Sequence, residues 1–211
     1  MKKSLLFIVL AAFILSGCSS LNYYVKVHHD KFDDYSKFEL LDNQIQLTTG
    51  QVVELNVRNV IRDSTSTLAF EIGYYASEWI FIEKGNSLTI LADTNKIRLS
   101  GAGSRGDREV TSAGRIQERA YYSVTKQEYE QIMNASKVEL KLSGDKYFIE
   151  GNLNKKNKAN LQKFYRNYIN NAKLCENPEK FKGSGMANKD IGSAVGSLVL
   201  IITLIYVLTL K

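Results

Sequence analysis

The chain has two histidines, two cysteines, one proline and one tryptophan in 211 residues, and each scarcity narrows what it can be. The only histidines, His28 and His29, are adjacent. Neighbouring side chains on a strand point to opposite faces, so such a pair rarely shares one metal ion. Any Ser–His or Cys–His nucleophilic pair has to use one of them. His28-His29-Asp30 with Asp33 and Asp34 therefore reads as a polar turn. The two cysteines, Cys18 and Cys175, allow at most one intrachain disulfide. The single proline, Pro178, argues against a Pro-rich linker or stalk. No internal repeat is visible, and no catalytic constellation stands out, so the expectation is a protein that is not an enzyme.

What the chain does have begins at its front. Lys2 and Lys3 form a positive n-region, Leu5 to Leu15 an apolar run, and small residues follow. This is the build of a secretory signal, and it is short for a membrane span. Leu15-Ser16-Gly17-Cys18 closes it. An aliphatic residue, a small residue, Gly or Ala, then Cys is a lipobox, and the segment resembles the signal of a bacterial lipoprotein. The resemblance covers about the first 20 residues. It implies cleavage between Gly17 and Cys18, diacylglycerol on the Cys18 thiol and acylation of the new amino terminus. Cys175 is then left without an intrachain partner, and a structural disulfide within the monomer is excluded. No other cofactor and no metal is expected beyond this covalent lipid on Cys18. In the resembling proteins of diderm bacteria an Asp just after the Cys favours inner-membrane retention; Ser19 and Ser20 stand here instead.

Without the signal 194 residues remain, enough for one domain with a core. The division expected is a signal peptide at 1–17, a tether at 18–24, a domain at 25–171, a flexible basic connector at 172–190 and a transmembrane helix at 191–210. Residues 191–210 carry no charge, and 20 residues of helix match a hydrocarbon core of about 30 Å. Gly192 and Gly196 form a G-x-x-x-G through which two such helices can approach. The net charge of +6 is not spread evenly: residues 155–189 hold nine basic and two acidic side chains. That stripe lies on the exported side, against the positive-inside tendency. It reads equally as a solvated helix face or as a surface adhering to anionic headgroups.

Within the domain, Val53, Leu55 and Val57 alternate with Glu54 and Asn56, and Leu68, Phe70, Ile72 and Tyr74 alternate in the next run. Period 2 with β-branched and aromatic residues predicts half-buried antiparallel strands. Trp79–Ile82 and Leu88–Leu91, around Lys84-Gly85-Asn86, read as a hairpin. Residues 101–115, with four glycines and no apolar period, read as a long mobile loop. Thr125-Lys126-Gln127-Glu128 is a capping box for a helix burying Tyr129, Ile132 and Met133. Leu161, Phe164, Tyr165, Tyr168 and Ile169 share one face of a second helix over 155–171. Strands first and helices late predict an α+β domain, an antiparallel sheet with two helices on one side.

Three motifs carry less than they promise. Gly101-Ala102-Gly103-Ser104-Arg105-Gly106 matches G-x-G-x-x-G, but no helical period follows to receive a pyrophosphate. Arg105-Gly106-Asp107 is the integrin-binding tripeptide, and places a surface adhesin or antigen using the 101–115 loop among the alternatives. The basic and aromatic residues of 155–182 are explained by an amphipathic helix, so no nucleic-acid partner is expected. The resulting expectation is a lipid-anchored cell-envelope protein, with its domain on the extracytoplasmic side of the cell membrane or, alternatively, at the outer membrane. Its role would be binding or scaffolding in an envelope assembly, with membrane lipid, envelope proteins or a second copy through Gly192 and Gly196 as partners. A periplasmic enzyme of unknown reaction is the remaining alternative.

Overall fold

The computed structural model describes residues 23–112 and 114–185. About half of these are in strands and a fifth in helices. The strands are β1 (Tyr24–Asp30), β2 (Tyr35–Leu41), β3 (Gln44–Gln46), β4 (Val52–Arg62), β5 (Thr65–Ala76), β6 (Gly85–Ala92), β7 (Asn95–Gly101), β8 (Arg108–Val110), β9 (Ile116–Ser123), β10 (Val138–Ser143) and β11 (Phe148–Asn152). The α-helices are α1 (Lys126–Asn134), α2 (Lys155–Phe164) and α3 (Ala172–Glu176). A π-helical turn, Tyr165–Ile169, continues α2, and a 3₁₀ turn, Pro178–Lys180, follows α3.

All eleven strands join one antiparallel sheet in the order β1-β2-β4-β5-β9-β7-β6-β10-β11, with β3 on β4 and β8 on β9. The sheet curls back on itself. Leu47, just beyond β3, bridges Gly151 of β11, and the Thr48 amide donates to the Glu150 carbonyl at 2.9 Å. That contact pairs two edges that would otherwise offer unpaired amides to solvent. The inner face follows the alternation in register: Val53, Leu55 and Val57 of β4 lie opposite Tyr74, Ile72 and Phe70 of β5, and Phe70 and Ile72 lie opposite Tyr122 and Ala120 of β9. All of these are buried.

The helices cover this core rather than forming a layer equal to the sheet. Thr125 accepts from the Glu128 amide while the Glu128 carboxylate accepts from the Thr125 amide, the expected capping box. Tyr129, Ile132 and Met133 are buried as its helical spacing requires. Tyr129 stacks on Phe70 at 5.6 Å and on Tyr165 at 5.9 Å, and its hydroxyl donates to the Leu161 carbonyl. Phe38 of β2 meets Tyr168 at 5.5 Å. Asn154 caps α2 through a second reciprocal box with Asn157.

The α+β expectation is therefore corrected: the fold is mostly antiparallel sheet, with eleven strands against three short α-helices among the described residues. Helical periodicity locates α1 and α2 well, but it does not weigh them. They span nine and ten residues, and the sheet closes around the core largely by itself. The fold class also included a membrane-spanning helix. Among the described residues no helix is long and apolar enough to cross a membrane, and residues 191–210 lie outside them. The chain also stays packed beyond 171. Leu174 is buried, and Val25 and Ser184 exchange both backbone hydrogen bonds, at 2.7 and 3.1 Å.

Candidate functional site

On β4 the residues between the inward positions, Glu54, Asn56 and Arg58, face away from the core, and their cross-strand neighbours build a charged surface. The Arg58 guanidinium is held at 2.8 Å from Glu39 of β2 and 3.0 Å from Glu71 of β5, and Lys37 completes the row at 3.1 Å from Glu39. The same guanidinium lies 4.7 Å from the centre of the Tyr121 ring. Glu39 and Glu71 are both buried. Opposite charges alternate across three strands, so each buried carboxylate has its cation.

This surface runs into an open cleft of about 700 Å³ lined by Gln44, Gln51, Glu54, Tyr75, Ser77 and Arg115, among others. Gly73 opens it. Gly73 is the partner of Glu54 in the β4–β5 register, and a Cβ there would press on the Tyr75 ring at 3.1 Å and lie 3.5 Å from the Glu54 carboxylate. The Glu54 carboxyl titrates above its ordinary value. Burial raises it most, Asn56 donating at 3.1 Å opposes this, and the nearby Asp42 and Glu71 add to the rise. The Tyr75 phenol is pushed up to about 12, by burial first and by Glu54 next. Arg115 reaches the rim, its guanidinium 3.5 Å from the Tyr75 carbonyl. The cleft thus presents one carboxylate, one phenol, one aliphatic hydroxyl, one guanidinium and two primary amides, a set that both donates and accepts hydrogen bonds. It has neither histidine nor cysteine along its walls, and glycoside hydrolysis would ask for a second carboxylate across it. The arrangement suits holding a polar ligand.

A second polar centre lies inside the fold. Glu118 occupies an inward position of β9, between Ile116 and Ala120, and is fully buried. Its carboxylate accepts from the amides of Ile80, Phe81 and Ile82 at 2.8, 2.9 and 3.0 Å, and from the Ser104 hydroxyl. The Arg108 guanidinium lies 3.5 Å away. This corrects the expected hairpin. Residues 79–82 do not pair with β6 as a strand, because the amides of Ile80, Phe81 and Ile82, which a strand would give to a neighbour, go to Glu118. Phe81 sits at φ +56°, a strained backbone for a bulky residue. Three amide bonds nearby and the cations of Arg108 and Lys146, 4.8 and 5.2 Å from its ring, hold it there.

The same centre corrects the mobile-loop reading of 101–115. Ser104 is buried, Ser104–Asp107 is a turn closed by a 2.9 Å bond, and β8 pairs with β9. The glycines of the G-x-G-x-x-G serve packing. A Cβ on Gly101 would lie 2.5 Å from the Tyr121 carbonyl, and Gly103, at φ +72°, would meet the Ile82 carbonyl at 2.7 Å. In the Arg-Gly-Asp turn, Arg105 is exposed, while the Asp107 carboxylate lies 3.7 Å from the Arg119 guanidinium.

His28 is 3.9 Å from Asp30. His29 is tied on both nitrogens: Nε2 donates to the Phe181 carbonyl at 3.2 Å, and in the neutral ring Nδ1 accepts from the Ser36 hydroxyl at 2.9 Å. His29, Ser36 and the half-buried Cys175 line one cleft of about 400 Å³. With Ser36 buried and His29 pinned to residue 181, the pair fastens the end of the domain to β1 and β2. Among the described residues no group of three or more His, Cys, Asp or Glu side chains could hold a metal ion. Gly17, Cys18, Gly192 and Gly196 lie outside the described residues. Sequence reading missed Glu118 and the Glu54–Tyr75–Arg115 cleft. Glu118 did leave a signal, a carboxylate on the apolar side of Ile116, Ala120 and Tyr122. The cleft left none, since its residues come together only through the register.

No family model, no curated protein and no solved structure matches this chain.

Proposed function

We propose that this protein is a lipid-anchored bacterial cell-envelope component that binds a polar ligand or partner and does not act as an enzyme. The observation that carries the reading is Leu15-Ser16-Gly17-Cys18 behind the Leu5–Leu15 run and Lys2-Lys3. Each buried CH₂ contributes about 0.8 kcal/mol, and one acyl chain holds a protein only reversibly. Diacylglycerol plus an amide-linked chain on Cys18 makes a lasting anchor. The cleft around Glu54, Tyr75 and Arg115 supports a binding role, because it gathers hydrogen-bond donors and acceptors on one open surface. The domain works on the extracytoplasmic side of the cell membrane, with the outer membrane as the alternative site.

The test is fatty-acid labelling in a bacterial host, comparing the full chain with Cys18→Ala. The expected result is label on the full chain only, with the variant retaining its leader. Equal labelling of the variant would overturn the proposal.

A further inference from the structure

We propose that the surface where both ends of the domain emerge is a docking face for the anionic headgroups of the membrane that holds Cys18. The inference rests on the lipid-anchor reading above and adds to it an orientation and a lipid class. Three observations meet at one place. First, Tyr23 begins the described domain, five residues after Cys18. Five peptide steps reach at most about 18 Å, so an anchored Cys18 keeps Tyr23 close to the bilayer. Second, residues 181–185 return to the same spot. Ser184 pairs with Val25, two residues from Tyr23, and the Tyr168 hydroxyl donates to the Lys182 carbonyl at 2.9 Å.

Third, this place is cationic. The Lys163 ammonium sits 4.1 Å from the centre of the Tyr23 ring. The Arg166 charge acts on the Tyr23 phenol, and Lys182 flanks it on the returning segment. All three basic side chains belong to exposed residues, as does Lys180, two residues before Lys182 on the returning segment. Glu130 of α1 accepts from the Tyr165 hydroxyl, and Glu176 and Glu179, the only acids within 155–189, line the His29 cleft. A tether of at most about 18 Å lets these charges approach the surface to within the Debye length of about 8–10 Å, where they feel it. Each well-placed cation strengthens adhesion to an anionic leaflet by about fivefold. The helical face read from sequence as either solvated or adhesive is, in this geometry, the membrane-facing one.

The test uses the mature, full-length chain in two sets of vesicles, phosphatidylcholine alone and phosphatidylcholine with phosphatidylglycerol. Amine labelling is read lysine by lysine by mass spectrometry, which also weighs the lipid on Cys18. The expected result is slower labelling of Lys163, Lys180 and Lys182 in the anionic vesicles, by about fivefold or more, abolished by 0.5 M salt. In K163E/R166E/K182E, Lys180 labels equally in both vesicles. In the charge-matched K84E/K96E/R98E, altered elsewhere in the sheet, the protection persists. Equal labelling of the unmodified chain in both vesicles, with diacyl mass on Cys18, overturns the docking and leaves the anchor standing. Absence of that mass overturns both. Protection that survives the K163E/R166E/K182E change overturns the assignment to this face.

Discussion

Replacing Glu118 by glutamine is the sharpest probe of how this fold is held. The buried carboxylate satisfies three backbone amides and the Ser104 hydroxyl. A glutamine keeps one acceptor oxygen and turns the other into a donor. In the better of its two orientations the oxygen serves Ile80 and Phe81, Ser104 rotates to accept, and the Ile82 amide is left bare. An unpaired buried donor costs about 1–3 kcal/mol. Losing the charge weakens the two remaining amide bonds by about 1 kcal/mol each. The Arg108 guanidinium, three-quarters buried and 3.5 Å away, loses its counter-charge as well and adds to the loss. Relief from burying a charge offsets part of this, and the net loss is about 2–4 kcal/mol. For a domain of this size that lowers Tm by about 5–15 °C. Urea unfolding followed by circular dichroism and by Trp79 fluorescence measures it. Trp79 is the only tryptophan and adjoins Ile80, so its emission reports the segment directly. Ser104→Ala, which leaves all three amides paired, should cost only about 1 kcal/mol. An E118Q protein within about 0.5 kcal/mol of the parent, with Trp79 emission unchanged, would refute the claim that Glu118 holds residues 80–82.

Other outcomes follow from the same geometry. Gly101→Ala and Gly103→Ala should each destabilise by more than about 2 kcal/mol, since their Cβ atoms meet backbone at 2.5 and 2.7 Å, while Gly106→Ala, with nothing within 4 Å, should stay within about 0.5 kcal/mol in the same urea titration. Equal effects at all three positions would return the motif to a functional reading. Glu54→Gln tests the cleft through pH. The carboxyl titrates higher folded than unfolded, so its favourable contribution is complete below the unfolded value and is lost as pH rises through the folded one. The variant should therefore be more stable than the parent at pH 7, the gap closing as pH falls to about 4; a gap constant with pH would contradict burial as the cause. Thr125→Ala should cost about 1 kcal/mol by opening the α1 capping box, read as a shift in urea midpoint at constant slope.

What could be read from sequence is what short-range physics decides. The alternations over 53–57 and 68–74 and the capping box at Thr125 are local patterns, and the structure has them where they were expected. The apolar face of 161–169 is buried as read, except that Ile169 is half-buried. Two of the misreadings come from one kind of contact. Trp79–Ile82 has the composition of a strand, but its amides are taken by a carboxylate 36 to 38 residues away. Residues 101–115 have the composition of a free loop, but Ser104 belongs to the same buried centre. A single inward-facing Glu118 thus decides the state of two segments, and no window of either segment contains it.

The same reasoning explains why the two proposed surfaces differ in legibility. The cationic face is written in one contiguous stretch, 155–189, so its charge is countable along the chain itself. Only its direction needs the fold, which brings residues 23 and 185 together through the Val25–Ser184 pair. The cleft has the opposite character. Gln44, Glu54, Tyr75 and Arg115 are spread over 72 positions and share no motif, and each alone is an ordinary polar residue beside a strand. Their convergence depends on the β4–β5 register, and a slip of one residue would turn Glu54 into the core and Val53 into solvent. The apolar alternation that fixes the register therefore also fixes the cleft. Substitutions that loosen the Val53–Tyr74 or Leu55–Ile72 pairing should disturb the cleft before they unfold the domain, and hydrogen exchange of the β4 and β5 amides, compared with the urea midpoint, measures the order.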